Sequence, residues 1–159
     1  MTNIGIAGIG FMGWTHYQAY QRVEGARIAA ICEQNKKRLS GDWRDIQGNF
    51  GPPGEVVDVS GMNTYEHLDE LMSDPTVDVV DICLPPSAHA DAAVKALEAG
   101  KHVFCEKPMA LTVESCDRMV DAAKQAGRLL LIGHVLPMFS EYAYVRQAVS
   151  SGQYGKLLG

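Results

Sequence analysis

Strand-like runs of a few residues alternate with helical patterns along almost the whole chain, and that rhythm restricts the fold more than any other feature. The runs are Ile4–Ala7, Ile28–Cys32, Val77–Cys83, His102–Cys105 and Leu129–Ile132. Runs so nearly continuous in apolar residues suit strands covered on both faces, as in a parallel sheet. Between them the spacing predicts helices. Tyr65, Leu68, Leu71 and Met72 share one stripe, with Thr64 as N-cap and Pro75 past the end. Ser87 can cap a helix that buries Ala93, Ala96 and Leu97 and stops at Gly100. Thr112 opens another, with Val113, Cys116, Met119, Val120 and Ala123 on one side and Gly127 at the stop. Strand followed by helix in this order predicts an α/β fold with a doubly wound parallel sheet.

Two stretches break the rhythm. Residues 40–63 hold Gly41, Gly48, Gly51, Pro52, Pro53 and Gly54, with room for a strand at Val56–Val59. They read as an excursion between the second and third strands, without a functional account. At the other end, Glu141–Ser150 reads as a helix and Gly152–Gly159 as a turn entering a strand, which points to the front part of a longer protein.

The first strand runs directly into Gly8-Ile9-Gly10-Phe11-Met12-Gly13, a GxGxxG pattern, with a helix expected from about Trp14. Alone the pattern is weak, but in this position each glycine has a physical task. Gly8 permits the tight turn, Gly10 lets the backbone approach a pyrophosphate, and Gly13 allows the helix to pack close to the strand. The pyrophosphate would rest on the helix N-terminus, and Phe11 and Met12 count as candidate contacts with the glycines. Glu33 lies twenty positions after Gly13, at the end of the second strand, where an acid can accept hydrogen bonds from an adenosine ribose. Its charge would repel a 2′-phosphate, which favours NAD over NADP. Lys36, Lys37 and Arg38 pull the other way, since cations there could host that phosphate.

Ligands of open parallel sheets bind outside the carboxyl ends of the strands. Leu84-Pro85-Pro86 follows one strand and Glu106-Lys107-Pro108 the next, so both belong to that edge. A lysine placed there can donate to a substrate oxygen and stabilise alkoxide-like charge as hydride is transferred. The bland alternative is a solvated Glu-Lys pair before a turn proline. His89 reads better as a packing or capping residue, His16 as structural, and His134 fits an active-site loop as well as it fits a plain one.

These motifs together resemble the N-terminal domain of the glucose–fructose oxidoreductase / inositol dehydrogenase / MocA family. The carriers are GIAGIGFMG, the acid in AAICEQN, the stretch DVVDICLPPSAHADAAVKALEAGKHVFCEKPMALT and the closing SGQYGKLLG. The resemblance implies a Rossmann NAD(P)-binding domain over residues 1–135. Residues 136–159 would then be a linker helix and the start of a truncated substrate domain, through which such proteins form homo-oligomers. It implies that Lys107 is the active-site lysine, and that Glu106, Cys83, Leu84 and Pro85 line the nicotinamide side. The substrate would be a secondary alcohol of a sugar, cyclitol or related polyol. Leu84-Pro85-Pro86 departs from the family's common Thr-Pro-Asn, and Gly133–Met138 lacks its usual Asn or Arg, so the contacts those residues make in the family are not expected here. The isolated chain is expected to be inactive, because the family's Asp…His pair belongs to the second domain.

Composition removes several other classes. A formal net charge of −5 and no basic run longer than Lys36-Lys37-Arg38 argue against nucleic acid. The four cysteines, Cys32, Cys83, Cys105 and Cys116, have no CxxC spacing, so no metal site is expected and all four read as reduced, in a cytoplasmic chain. No signal-like start or long apolar stretch is present, so neither export nor a membrane span is expected. Two rivals remain: a dinucleotide-binding module without chemistry, and an S-adenosylmethionine-dependent methyltransferase. The second does not account for Glu-Lys-Pro on the cofactor edge.

Overall fold

The computed structural model describes residues 1–156. In chain order the elements are β1 (Thr2–Ala7), α1 (Phe11–Tyr20), β2 (Ala26–Cys32), α2 (Lys36–Leu39), β3 (Asn63–Tyr65), α3 (Leu68–Ser73) and β4 (Val79–Ile82). They continue with α4 (Pro86–Glu98), β5 (His102–Cys105), α5 (Val113–Ala126), β6 (Leu130–Ile132), a 3-10 turn at Leu136–Met138 and α6 (Ser140–Ser151). All the strands pair in parallel, in the order β3-β2-β1-β4-β5-β6. That order reverses between β1 and β4, and the crevice at this switch point is where a doubly wound sheet takes its ligand. The chain is a Rossmann-like α/β fold, as the alternation of runs predicts.

Core residues fall into two clusters on the two sides of the sheet. One joins Val80, Ile82 and Val103 to Leu71, Ala93, Ala96, Leu97 and Met119. The other joins Ile4, Ile6 and Ile31 to Trp14, Trp43, Ile46 and Val57. Residues 40–62 are therefore core-forming although irregular. Trp43 is fully buried and meets Trp14 and Tyr17 edge-on, its indole N–H donates to the Arg38 carbonyl at 2.6 Å, and the Trp14 indole donates to the Pro52 carbonyl. Gly54 must be glycine, since a Cβ there would stand 1.9 Å from the Trp43 carbonyl oxygen.

Several local expectations are corrected. Thr64 and Tyr65 belong to β3, not to a helix; α3 starts later, with the Glu70 carboxylate accepting the His67 N–H at 3.2 Å. The stripe was readable, but the β-branched Thr64 and the aromatic Tyr65 extend a sheet edge instead. α1 starts at Phe11, one turn before Trp14, because Gly10 serves as the N-cap. α4 starts at Pro86, not after a Ser87 cap, since proline is well suited to a first helical position. Val56 makes only an isolated antiparallel bridge with Asp42, so no strand forms over Val56–Val59. On α5, Met119 is buried, but Val113 and Val120 are exposed. The Thr112 cap and the left-handed stop at Gly127 stand as expected. α6 is present, and Tyr142, Tyr144, Val145 and Val149 on it are exposed. The expected final strand falls largely on residues 157–159, outside the described residues.

Before the amino ends of β4 and β5, the Asp74 carboxylate accepts from Asn63 Nδ2, Tyr65 Oη, and the Thr76 N–H and hydroxyl. These bonds outweigh the cost of its burial and hold its pKa down at about 2. Lys101 closes this corner by donating to the carbonyls of Asp74 and Val77.

Candidate functional site

A cleft of about 490 Å³ opens over the carboxyl ends of β1, β2 and β4, at the switch point. Gly8, Gly10, Glu33, Cys83, Leu84 and Pro85 line it, with Arg38, Glu66 and Leu68 among the rest of its wall. Six of the residues singled out from sequence are thus brought together. Phe11, Met12, Gly13, Glu106 and Lys107 stand outside that lining. Phe11 turns toward residues 40–62 and packs edge-on against Phe50 at 4.7 Å.

The glycine loop has the geometry its spacing calls for. Gly8 takes a φ of +92°, a conformation that disfavours any side chain. A Cβ on Gly13 would meet the Gly8 carbonyl oxygen at 2.1 Å, so α1 can lie this close to the loop only with glycine there. A Cβ on Gly10 would meet nothing within 4 Å, which leaves open space beside the cleft. The α1 N-cap offers no side-chain cap and no acid occupies the first turn. Its orphan N–H groups remain available to an anion, and the dipole adds to the attraction. These residues therefore fit a pyrophosphate.

Glu33 is engaged more heavily than the sequence indicates. One carboxylate oxygen accepts from the Ile9 N–H and the other from the Asn35 N–H, each at 2.8 Å. It thereby ties the glycine loop to the start of α2 and still keeps a lone pair on each oxygen for a ribose hydroxyl. The neighbouring cations are not free. Arg38 pairs with Asp45 at 2.9 Å and donates to the Ile9 carbonyl at 3.1 Å. Lys36 stands 3.4 Å from Glu66, and Lys37 3.7 Å from Asp42.

Beneath the β4 and β5 ends lies a buried group that sequence reasoning undervalued. His16 on α1 bonds Asp81 through Nδ1 at 2.8 Å and faces Glu106 through Nε2 at 3.2 Å, with its ring stacked on Phe104. Burial opposes a charged imidazole, but the hydrogen bonds and charges of Asp81 and then Glu106 outweigh it and raise the His16 pKa. Cys83 joins the group, its Sγ 3.4 Å from His16 Nδ1, and burial beside Asp81 and Glu106 pushes its thiol far up. Burial likewise pushes Cys32 and Cys105 up to about 12, so these three thiols are poor nucleophiles. The sequence marked His16, Cys83 and Glu106 separately, and Asp81 stands as a polar residue inside an apolar run, but nothing local joined the four.

Glu106 points its second oxygen at its neighbour's backbone, accepting the Lys107 N–H at 3.0 Å. The Lys107 side chain is exposed and has no ion-pair or hydrogen-bond partner among the described residues. His89 is buried, with ring nitrogens 2.8 Å from the carbonyl oxygens of Pro108 and Leu84. It links the loop that carries Lys107 to the loop that lines the cleft. His134 is exposed and makes no side-chain bond among the described residues.

A model of an oxidoreductase family, described as an NAD-binding Rossmann fold, matches residues 2–134. The chain belongs to this family. Among the relatives of this Rossmann oxidoreductase chain is an inositol 2-dehydrogenase/D-chiro-inositol 3-dehydrogenase of Lactiplantibacillus plantarum. It is 33% identical over 99% of the chain and 42% of that protein. A 2,7-anhydro-N-acetylneuraminate hydratase of Escherichia coli is 31% identical over 99% of the chain and 38% of its own length. The structure of scyllo-inositol dehydrogenase from Lactobacillus casei with bound NAD(H) and scyllo-inositol superposes with a TM-score of 0.81. Its identity is 25%, covering 98% of this chain and 43% of that one. The chain thus spans about two-fifths of the relatives it matches. Among the described residues no helix is long and apolar enough to cross a membrane.

Proposed function

We propose that this chain is the cofactor-binding part, over residues 1–135, of an NAD-dependent dehydrogenase acting on a secondary alcohol of a sugar, cyclitol or related polyol. The observation that carries the reading is the cleft at the switch point, with the glycine loop and Glu33 on one side and the Lys107 loop on the same edge of the sheet. The first-turn amides of α1 would bind the pyrophosphate, and Glu33 the adenosine ribose. Cys83, Leu84, Pro85 and Glu106 would flank the nicotinamide. When bound, the nicotinamide supplies the hydride acceptor or donor. Lys107, with a free ammonium, would donate to the substrate oxygen and stabilise its developing negative charge. The substrate class is supported by the inositol dehydrogenases among the relatives, and NAD over NADP by the Glu33 carboxylate and by the acid partners of every cation beside it. Residues 136–159 would lead into a second domain that completes the substrate wall and supports a homo-oligomer.

The test is a fluorescence titration of the chain with NADH and with NADPH. Saturable NADH binding, weaker NADPH binding, and NADH binding retained in Lys107→Ala are the expected results. Absence of binding to either nucleotide overturns the reading for this chain. One observation favours a second reading. The hydratase relative supports net hydration of an anhydro sugar by the longer protein, with the nucleotide in the same cleft. That reading predicts substrate turnover without net change in reduced nicotinamide.

A further inference from the structure

We propose that Asp45, on the irregular segment after α2, sets the cofactor preference of the cleft by occupying Arg38, so that a 2′-phosphorylated dinucleotide finds no free cation there. The inference rests on the dinucleotide-binding reading above and names the residue that would discriminate within it.

Arg38 is the cation on the cleft wall, beside Glu33 and Glu66. Left alone, a planar guanidinium in that place suits a phosphate, which it can grip with two parallel bonds. Here its donors are spent otherwise. Nη2 and Nε donate to Asp45 Oδ2 at 2.9 and 3.2 Å, and Nη1 donates to the Ile9 carbonyl at 3.1 Å. Asp45 is no chance surface partner. It stands between two core residues, Trp43 and Ile46, both buried. Gly54 N–H donates to the Ile46 carbonyl at 2.9 Å, and Trp43 N–H to the Glu55 carbonyl at 3.0 Å. The carboxylate is therefore delivered to Arg38 by packing, and the Trp43 indole, bonded to the Arg38 carbonyl, fixes the two relative to each other. Asp45 also neutralises the one cation that lines the cleft with Glu33 and Glu66, so a dianionic phosphate there would meet those two carboxylates without compensation. The lysines do not make up the difference, since Lys36 and Lys37 have the carboxylates of Glu66 and Asp42 as partners.

The experiment is a paired fluorescence titration of the chain with NADH and NADPH, at one fixed ionic strength because exposed charges are screened by salt. It compares wild type, Asp45→Asn, Asp45→Ser and the double variant Arg38→Ala/Asp45→Asn, each first shown to melt cooperatively. In both Asp45 variants the ratio of the NADPH to the NADH dissociation constant should fall by about fivefold, the factor that one exposed charge pair can supply. The double variant should return to the wild-type ratio or exceed it. A ratio unchanged in both Asp45 variants, with NADH still titrating, overturns the role of Asp45 and leaves the binding reading standing. A fall that persists in the double variant overturns it too, since the gain would then not pass through Arg38. Failure of wild type to bind either nucleotide removes the binding reading, and this inference with it.

Discussion

Two clusters, each of oppositely charged partners, stand on the carboxyl edge of the same sheet, and they are built on opposite plans. Arg38 and Asp45 pair near the surface, where water still reaches both side chains. His16, Asp81 and Glu106 meet under the β4 and β5 ends, where Asp81 is wholly buried and the other two nearly so. An exposed pair contributes little to stability, so its partners can be exchanged and its charges used for choosing a ligand. A buried group has lost its hydration and depends on its partners, so removing one strands the others. The first arrangement suits selectivity and the second suits holding a loop in place. Glu106 makes the second link concrete, since one of its oxygens faces His16 and the other accepts the Lys107 N–H.

The largest effect that would break this contrast is predicted for His16→Ala. Two buried carboxylates would lose the imidazole between them, and the stacking on Phe104 would go as well. Breaking a buried pair in this way costs about 3–5 kcal/mol, read as a shift in the urea midpoint at neutral pH. A loss no larger than that of a surface substitution would show that water reaches the group and that the contrast is wrong. Asp81→Asn together with His16→Ala should recover part of the loss, since one stranded charge goes with it.

A smaller effect sharpens the same point through pH. The folded-state pKa of His16 is raised above its ordinary 6.5. Its stabilising contribution is therefore complete below about that pH and fades as pH rises through the raised value. Unfolding midpoints measured from pH 6 to pH 9 should fall more steeply in wild type than in His16→Gln. Equal slopes would mean that the imidazole is not charged in the folded state.

How much of this was legible in the sequence follows from where each signal lies. The glycine loop, Glu33 and the strand-helix rhythm are local patterns, and local patterns carry over to the fold. β3 was missed because a three-residue edge strand takes its definition from pairing with β2, not from periodicity. Residues 40–62 were opaque because glycines and prolines hide the periodicity, while the burial of Trp43 depends on Trp14 and Tyr17, far away in the chain. The His16 group was hidden for the same reason, since its members come from α1, β4 and the end of β5. Arg38 was visible as a cation close behind Glu33, but nothing in its own neighbourhood showed that a carboxylate seven positions later would take it up.

The smallest predicted effect tests whether the exposed cluster around Arg38 is selective in its parts or merely charged. Lys36 and Arg38 sit on the same short helix, and each has an acid partner, but the Lys36 side chain is 81% exposed against 25% for Arg38. Only Arg38 also reaches the glycine loop, through the Ile9 carbonyl. Lys36 has a long flexible stem that must be ordered to hold Glu66 at 3.4 Å, and that entropy cancels most of the attraction. Lys36→Ala should therefore change stability by no more than about 0.5 kcal/mol. It should also leave the NADPH to NADH ratio unmoved in the same titration that reads Asp45→Asn. If Lys36→Ala shifted the ratio as far as Asp45→Asn does, the exposed cluster would be acting through its summed charge. Packing around Trp43 would then have no part in the choice of cofactor.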